Sequence, residues 1–429
     1  MEFKEFPQLQ EKLYYEQLEN GLEVYMLPKR GFNKSFATFT TKYGSIDNHF
    51  VPIGQSEMKL VPDGIAHFLE HKMFEKEDYD VFEKFSAHSA SSNAFTSFTR
   101  TCYLFSCTSD LKENLTTLID FVQSPYFTEQ TVEKEKGIIA QEIKMYDDNP
   151  DFRAYYEIIG NLFKEHPVKI DIAGTVESIQ PITAELLYEC YNTFYHPSNM
   201  LLFVIGDFDV EEMMALVREN QAKKDYKKED PIPREYPKEE PQAVCPESTL
   251  EMEVGTAKVF VGVKDASADQ DGKALLKKEV ALDIIFDLMF GSSSTYYEEM
   301  LDKGYINDTF SYETNCELSF GFSIVGGDTR YPDELAHSIK EKLLTIPTMT
   351  FDEAEFTRIK NKKVGRFLSA LNSVEFIANQ FTQYAFNGVQ LFSILDILDE
   401  LRIEDLQQLA KDYFVEDRMS IFKLLPKQA

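Results

Sequence analysis

Over residues 22–28 (LEVYMLP) and 35–43 (SFATFTTKY), apolar, aromatic and β-branched side chains alternate or run together between Gly and Asn turn signals, so both stretches read as strands. At 64–76 and 79–87 the apolar residues recur at helical spacing, and NAFTSF and TCYLFSC then return to strand composition. The apolar run MLLFVI leads into Gly206-Asp207-Phe208-Asp209, after which 210–220 reads as a helix. The pattern predicts an α+β protein.

Residues 221–249 change character. Five prolines (231, 233, 237, 241 and 246) interleave with lysines and carboxylates, and such a segment has too little apolar surface to pack. It is expected to be an exposed linker between a domain at 1–220 and another at 250–429. The two sides resemble each other. The strand KVFVGVKD at 258–265 precedes the helical EVALDIIFDLMFG at 279–291, much as SFATFTTKYG precedes GIAHFLEHKMF. Aligning Met73-Phe74 with Met289-Phe290 gives an offset of 216, and aligning Phe127 with Phe351 pairs the helical stretches 126–143 and 350–368 at an offset of 224. The expected fold is therefore two tandem homologous domains, each a mixed, mostly antiparallel sheet with helices packed on one face.

Charge narrows the partners. With 73 acidic against 44 basic residues the 429-residue chain carries −29, which argues against nucleic acid. No apolar run reaches the roughly 18 residues that suggest a membrane span, and the N-terminus lacks the basic-then-apolar order of a secretory signal. A soluble, cytoplasmic protein is expected. The five cysteines are scattered, without a CxxC, so they predict neither a disulfide framework nor a thiolate zinc site.

The candidate chemistry lies in the helix predicted at 64–76, which contains His67-Phe68-Leu69-Glu70-His71. Residues four apart share a helix face, so His67 and His71 can both direct a ring nitrogen at one metal ion. Glu70 is close enough to act as general base without binding the ion. With seven histidines and 73 acidic residues, an HxxEH pattern arises by chance roughly 0.02 times in a chain of this length. Hydrogen bonds alone could satisfy two such histidines, but a glutamate on the inner face is costly to bury without a role or a partner. A catalytic zinc needs a third protein ligand. Glu133, Glu135 and Glu142 lie in the helical EKEKGIIAQE; Glu135 and Glu142, seven apart, share a face, and spacing does not choose between them.

LENGLEVYMLP, TTKYGSIDN, GIAHFLEHKMF, SSNAFTSFTRTCYLF, EKEKGIIAQEI and YHPSNMLLFVIGDFD together resemble the pitrilysin/insulinase family of zinc peptidases, the inverzincins, over residues 20–220 and more weakly to the C-terminus. The resemblance implies Zn2+ held by His67, His71 and Glu142, with Glu70 as catalytic base. It implies that Glu135 supports the site from behind the ligands, and that Asn93, Ala94, Phe95 and Thr96 form a strand edge where substrate is laid. The activity implied is endoproteolysis of short, unfolded peptides.

The second copy departs from that pattern. His67, Glu70 and His71 fall on Asp283, Phe286 and Asp287, and Glu142 falls on Arg366, so one zinc per chain is expected. Active relatives also carry an Arg and a Tyr seven apart in the second copy, and residues 291–313 contain no arginine, although Tyr305 or Tyr312 could take part of that role. The expectation is a heterodimer, favoured over a homodimer, whose related subunit lacks HxxEH and supplies the pair. The acidity would favour basic leader or propeptide segments as substrates. The competing expectations are a non-catalytic core or assembly subunit and a zinc-containing peptide-binding protein of the same fold.

Overall fold

The computed structural model describes residues 1–267 and 270–427. The chain opens with β1 (Glu2–Phe6), β2 (Glu11–Gln17), β3 (Glu23–Pro28), β4 (Ser35–Thr41), β5 (His49–Phe50) and β6 (Lys59–Leu60). Helices α1 (Ile65–Met73) and α2 (Val81–Ala87) precede β7 (Ala90–Thr96) and β8 (Thr101–Cys107). Then come α3 (Leu111–Val122), α4 (Glu129–Asp147), α5 (Pro150–Leu162), α6 (Ala184–Phe194), β9 (Met200–Gly206) and α7 (Val210–Ala222). The remainder holds β10 (Glu247–Met252), β11 (Ala257–Lys264), α8 (Gly272–Phe290), α9 (Thr295–Asp302), β12 (Ser311–Cys316), β13 (Gly321–Thr329) and α10 (Pro332–Thr345). It closes with α11 (Glu353–Ala370), α12 (Val374–Phe386), α13 (Ser393–Glu400), α14 (Ile403–Tyr413) and β14 (Met419–Pro426). No described helix is long and apolar enough to cross a membrane.

Two compact units result. Among the described residues, the first comprises 1–143, 171–235 and 370–386; the second comprises 144–170, 236–267, 270–369 and 387–427. The first unit has a seven-stranded sheet in the order β1-β2-β3-β9-β4-β8-β7, in which only β3 and β9 run parallel. The second has five strands, β10-β14-β11-β13-β12, in which only β10 and β14 run parallel. The five strands from β3 to β7 thus repeat, in order and direction, as β10 to β12. This is the duplication that the weak sequence likeness predicts, and the fold is α+β with two mixed sheets.

In the first unit, Val24, Met26, Phe39, Tyr103 and Leu202 share a buried core with Ile65, Phe68 and Leu69 of α1. The opposite sheet face is also covered: Phe381 of α12 packs its ring against Tyr25 and Phe203, with centroids 4.8 and 4.7 Å away. Burial on both faces explains why β9 is a continuous apolar run, MLLFVIG, without alternation. All five cysteines are free, and Cys102 and Cys107 are both buried.

The site depends on where α1 begins. Gly64 precedes it with φ +87°, a conformation that favours glycine, and a Cβ built there would lie 2.3 Å from the carbonyl oxygen of Ala173. Only glycine lets the helix start this close to the neighbouring backbone.

Candidate metal centre

Helix α1 buries Ile65, Phe68, Leu69 and Met73 in the core, and the intervening turn positions His67, Glu70 and His71 together. Helix α4 is anchored in the same way by Val132, Ile139 and Ile143. Its Glu142 reaches both histidines: Oε1 lies 3.7 Å from His67 Nε2, and Oε2 lies 3.5 Å from His71 Nε2. One donor atom from each of the three residues lies within 4.8 Å of the others. A tetrahedral zinc with bonds of about 2.1 Å sets its ligand atoms roughly 3.4 Å apart, so two imidazoles and a carboxylate at these separations suit the ion in chemistry and size.

Glu135 stands behind this group. Its Oε1 is 3.1 Å from His71 Nδ1, and accepting a hydrogen bond from Nδ1–H leaves Nε2, on the side of Glu142, for an ion. His67 Nδ1 is buried without a hydrogen-bond partner among the described residues. Burial, reinforced by His71, pushes His67 down to about 3, so this ring is neutral and available as a ligand. Burial acts to lower His71 too, but the Glu135 hydrogen bond and the charges of Glu70, Glu142 and Glu135 outweigh it and raise its pKa.

Glu70 is only 9 % exposed, and burial raises its pKa despite hydrogen bonds from Thr96. The Thr96 hydroxyl donates to Glu70 Oε2 at 2.7 Å. Thr96 ends β7, which pairs with β8 and forms one edge of the seven-stranded sheet. Asn93, Ala94 and Phe95 lie along that edge, with Asn93 Oδ1 accepting from the Ala94 amide at 2.9 Å. All the residues proposed for the site therefore lie on α1, α4 or β7. The contact between Thr96 and Glu70 had no sequence signal, because no periodicity links a helix position to a strand end 26 residues later.

Two family models match the chain: Insulinase (Peptidase family M16) over residues 54–176, and the Peptidase M16 inactive domain over 181–363. The chain belongs to the M16 insulinase family of zinc proteases. YmfH of Bacillus subtilis strain 168, named as an uncharacterized zinc protease, is 56 % identical over 424 residues, 99 % of each chain. The crystal structure of an M16-like peptidase from Alicyclobacillus acidocaldarius superposes with a TM-score of 0.95 at 39 % identity, covering 99 % of this chain and 100 % of that one. Pitrilysin shares the fold, with a TM-score of 0.76 at 15 % identity, but the match takes in 98 % of this chain and only 45 % of pitrilysin. This M16 chain is of the half-length type.

The second M16 unit holds ion pairs where the first holds candidate metal ligands. Lys363 Nζ lies 2.6 Å from Asp283 and 3.3 Å from Asp287, and Lys362 Nζ lies 2.7 Å from Asp287. Phe286, which corresponds to Glu70, stacks on Tyr312 with ring centroids 5.7 Å apart. An ammonium between two carboxylates here ties α8 to α11. Among the described residues, His67, His71 and Glu142 form the sole cluster of metal-ligand type.

Proposed function

We propose that the chain is the zinc-bearing half of a two-chain endopeptidase that cleaves short, unfolded peptides. The observation that carries this is the convergence of His67, His71 and Glu142 beside a buried Glu70 and next to a sheet edge. His67, His71 and Glu142 would hold the ion, which when bound supplies Lewis acidity and lowers the pKa of coordinated water to about 7. Glu70 does the proton work. Its raised pKa suits a group that takes a proton from water and returns it to the leaving amine nitrogen. The β7 edge at Asn93, Ala94, Phe95 and Thr96 receives the peptide as an added strand, so main-chain bonds hold the scissile segment whatever its side chains.

The lack of arginine in residues 291–313 supports a second, related subunit that supplies an Arg/Tyr pair to polarise the scissile carbonyl. Tyr312 already packs on Phe286 and has its hydroxyl 3.5 Å from Lys363 Nζ. The −29 charge supports basic leader or propeptide segments as substrates. Five unpaired cysteines suit a cytoplasmic setting.

The test loads the purified chain with zinc and assays an unstructured basic peptide, first alone and then with a related subunit lacking HxxEH. Glu70→Gln is expected to retain zinc and lose hydrolysis. A core subunit or peptide carrier would bind peptide and be indifferent to that substitution. Full turnover by the chain as a monomer or homodimer would remove the two-chain element.

A further inference from the structure

We infer that Thr96 is a positioning residue for Glu70, fixing the orientation of the proton carrier to the last residue of the edge strand on which the peptide is proposed to lie. This rests on the reading of Glu70 given above. A carboxyl group as buried as Glu70 requires hydrogen bonds to offset its desolvation. Thr96 supplies one from its hydroxyl, which donates to Glu70 Oε2 at 2.7 Å.

Thr96 is itself braced. It stands opposite Thr101 in the β7–β8 register, with the two hydroxyl oxygens 3.3 Å apart. Thr101 in turn donates to the carbonyl oxygen of the fully buried Tyr43 at 2.9 Å. A line of polar contacts thus runs from Glu70 through two threonines into the core of the first unit. A hydroxyl both donates and accepts, so Thr96 can hold the Glu70 carboxyl group with or without its proton. In the protonated case it accepts from Glu70 and can donate to Thr101. An ammonium in its place could only donate.

A residue that merely contacted substrate would act through binding. A residue that holds Glu70 acts on turnover, because misplacing a proton carrier by about 1 Å can cost on the order of 100-fold. Thr96→Val keeps the branched shape and removes the donor. It is expected to retain one zinc per chain and the wild-type KM, and to lose kcat roughly 10- to 100-fold in the assay used for Glu70→Gln. Thr96→Ser is expected to recover most of the loss.

A second readout needs neither metal nor turnover. Denaturation midpoints of zinc-free Thr96→Val, Glu70→Ala and the double variant should be non-additive, since the first substitution already breaks the bond that the second removes. Wild-type kcat in Thr96→Val, a loss confined to KM, or additive midpoints would overturn the inference. A wild-type protein without zinc-dependent turnover even in the presence of the related subunit would count against the functional reading instead, and the stability cycle alone would then decide the link between Thr96 and Glu70.

Discussion

Glu135 provides a quantitative test of how the metal centre is held. It lies on α4 seven residues before Glu142, and its Oε1 is 3.1 Å from His71 Nδ1. For His71 to present Nε2 to an ion, its proton must sit on Nδ1, and Glu135 is the acceptor that keeps it there. Glu135→Gln retains an acceptor but loses the charge. A hydrogen bond to a charged group contributes about 2 kcal/mol and one to a neutral group about 1 kcal/mol, so zinc affinity should fall about fivefold. Glu135→Ala removes the acceptor, and the loss should span the roughly 10- to 100-fold range typical of such supporting carboxylates, or about 1.4–2.7 kcal/mol. The effect has a definite pH dependence. His71 has a raised pKa, to which Glu135 contributes, so in the wild type protons compete with the ion up to a higher pH than at an ordinary imidazole. Both substitutions relieve part of that competition, and the loss of affinity is therefore greatest above neutral pH and narrows on acidification. Competition against a fluorescent zinc chelator at alkaline and mildly acidic pH would measure it, with circular dichroism as the folding control. Wild-type affinity in both variants under alkaline conditions would refute the role assigned to Glu135.

Two further predictions concern the scaffold. Gly64→Ala places a Cβ 2.3 Å from the Ala173 carbonyl oxygen at a φ of +87°, so it should cost about 1–2 kcal/mol in backbone strain, and more from the clash, and should weaken zinc binding by shifting α1. Gly137→Ala, in α4 with nothing within 4 Å of the added carbon, should instead stabilise by about 0.5–1 kcal/mol; denaturant midpoints moving in the same direction would refute the contrast. In the second unit, His166 is 1 % exposed, accepts the Val168 amide at Nδ1, and is lowered by burial to about 4. The unfolded chain takes up this proton at about 6.5 and the folded protein only near 4, so stability is complete above pH 6.5 and falls by about 3 kcal/mol as pH drops through that window. His166→Asn should flatten this part of the stability–pH curve, as followed by urea denaturation; an unchanged slope would refute it.

The sequence alone determined what depends on local backbone geometry. Four-residue spacing on a helix places His67 and His71 on one face in almost any fold, and Glu70 accompanies them. Apolar period and turn residues marked β3, β4 and α1 because each must bury a side regardless of its partners. Weak likeness between the halves was enough to predict a duplicated unit, since the strand order β3-β9-β4-β8-β7 returns as β10-β14-β11-β13-β12.

Tertiary structure decided what depends on contacts between residues distant in sequence. Spacing left Glu135 and Glu142 equivalent; the approach of α4 to α1 set Glu142 against both Nε2 atoms and Glu135 behind His71. That β7 is an edge follows from the strand order, and that Thr96 holds Glu70 follows from where that edge ends relative to α1. No pattern in residues 374–386 indicated that α12 covers the second face of the first sheet through Phe381. Periodicity reports which side of an element is buried, whereas the identity of what buries it is settled only when the whole chain has packed.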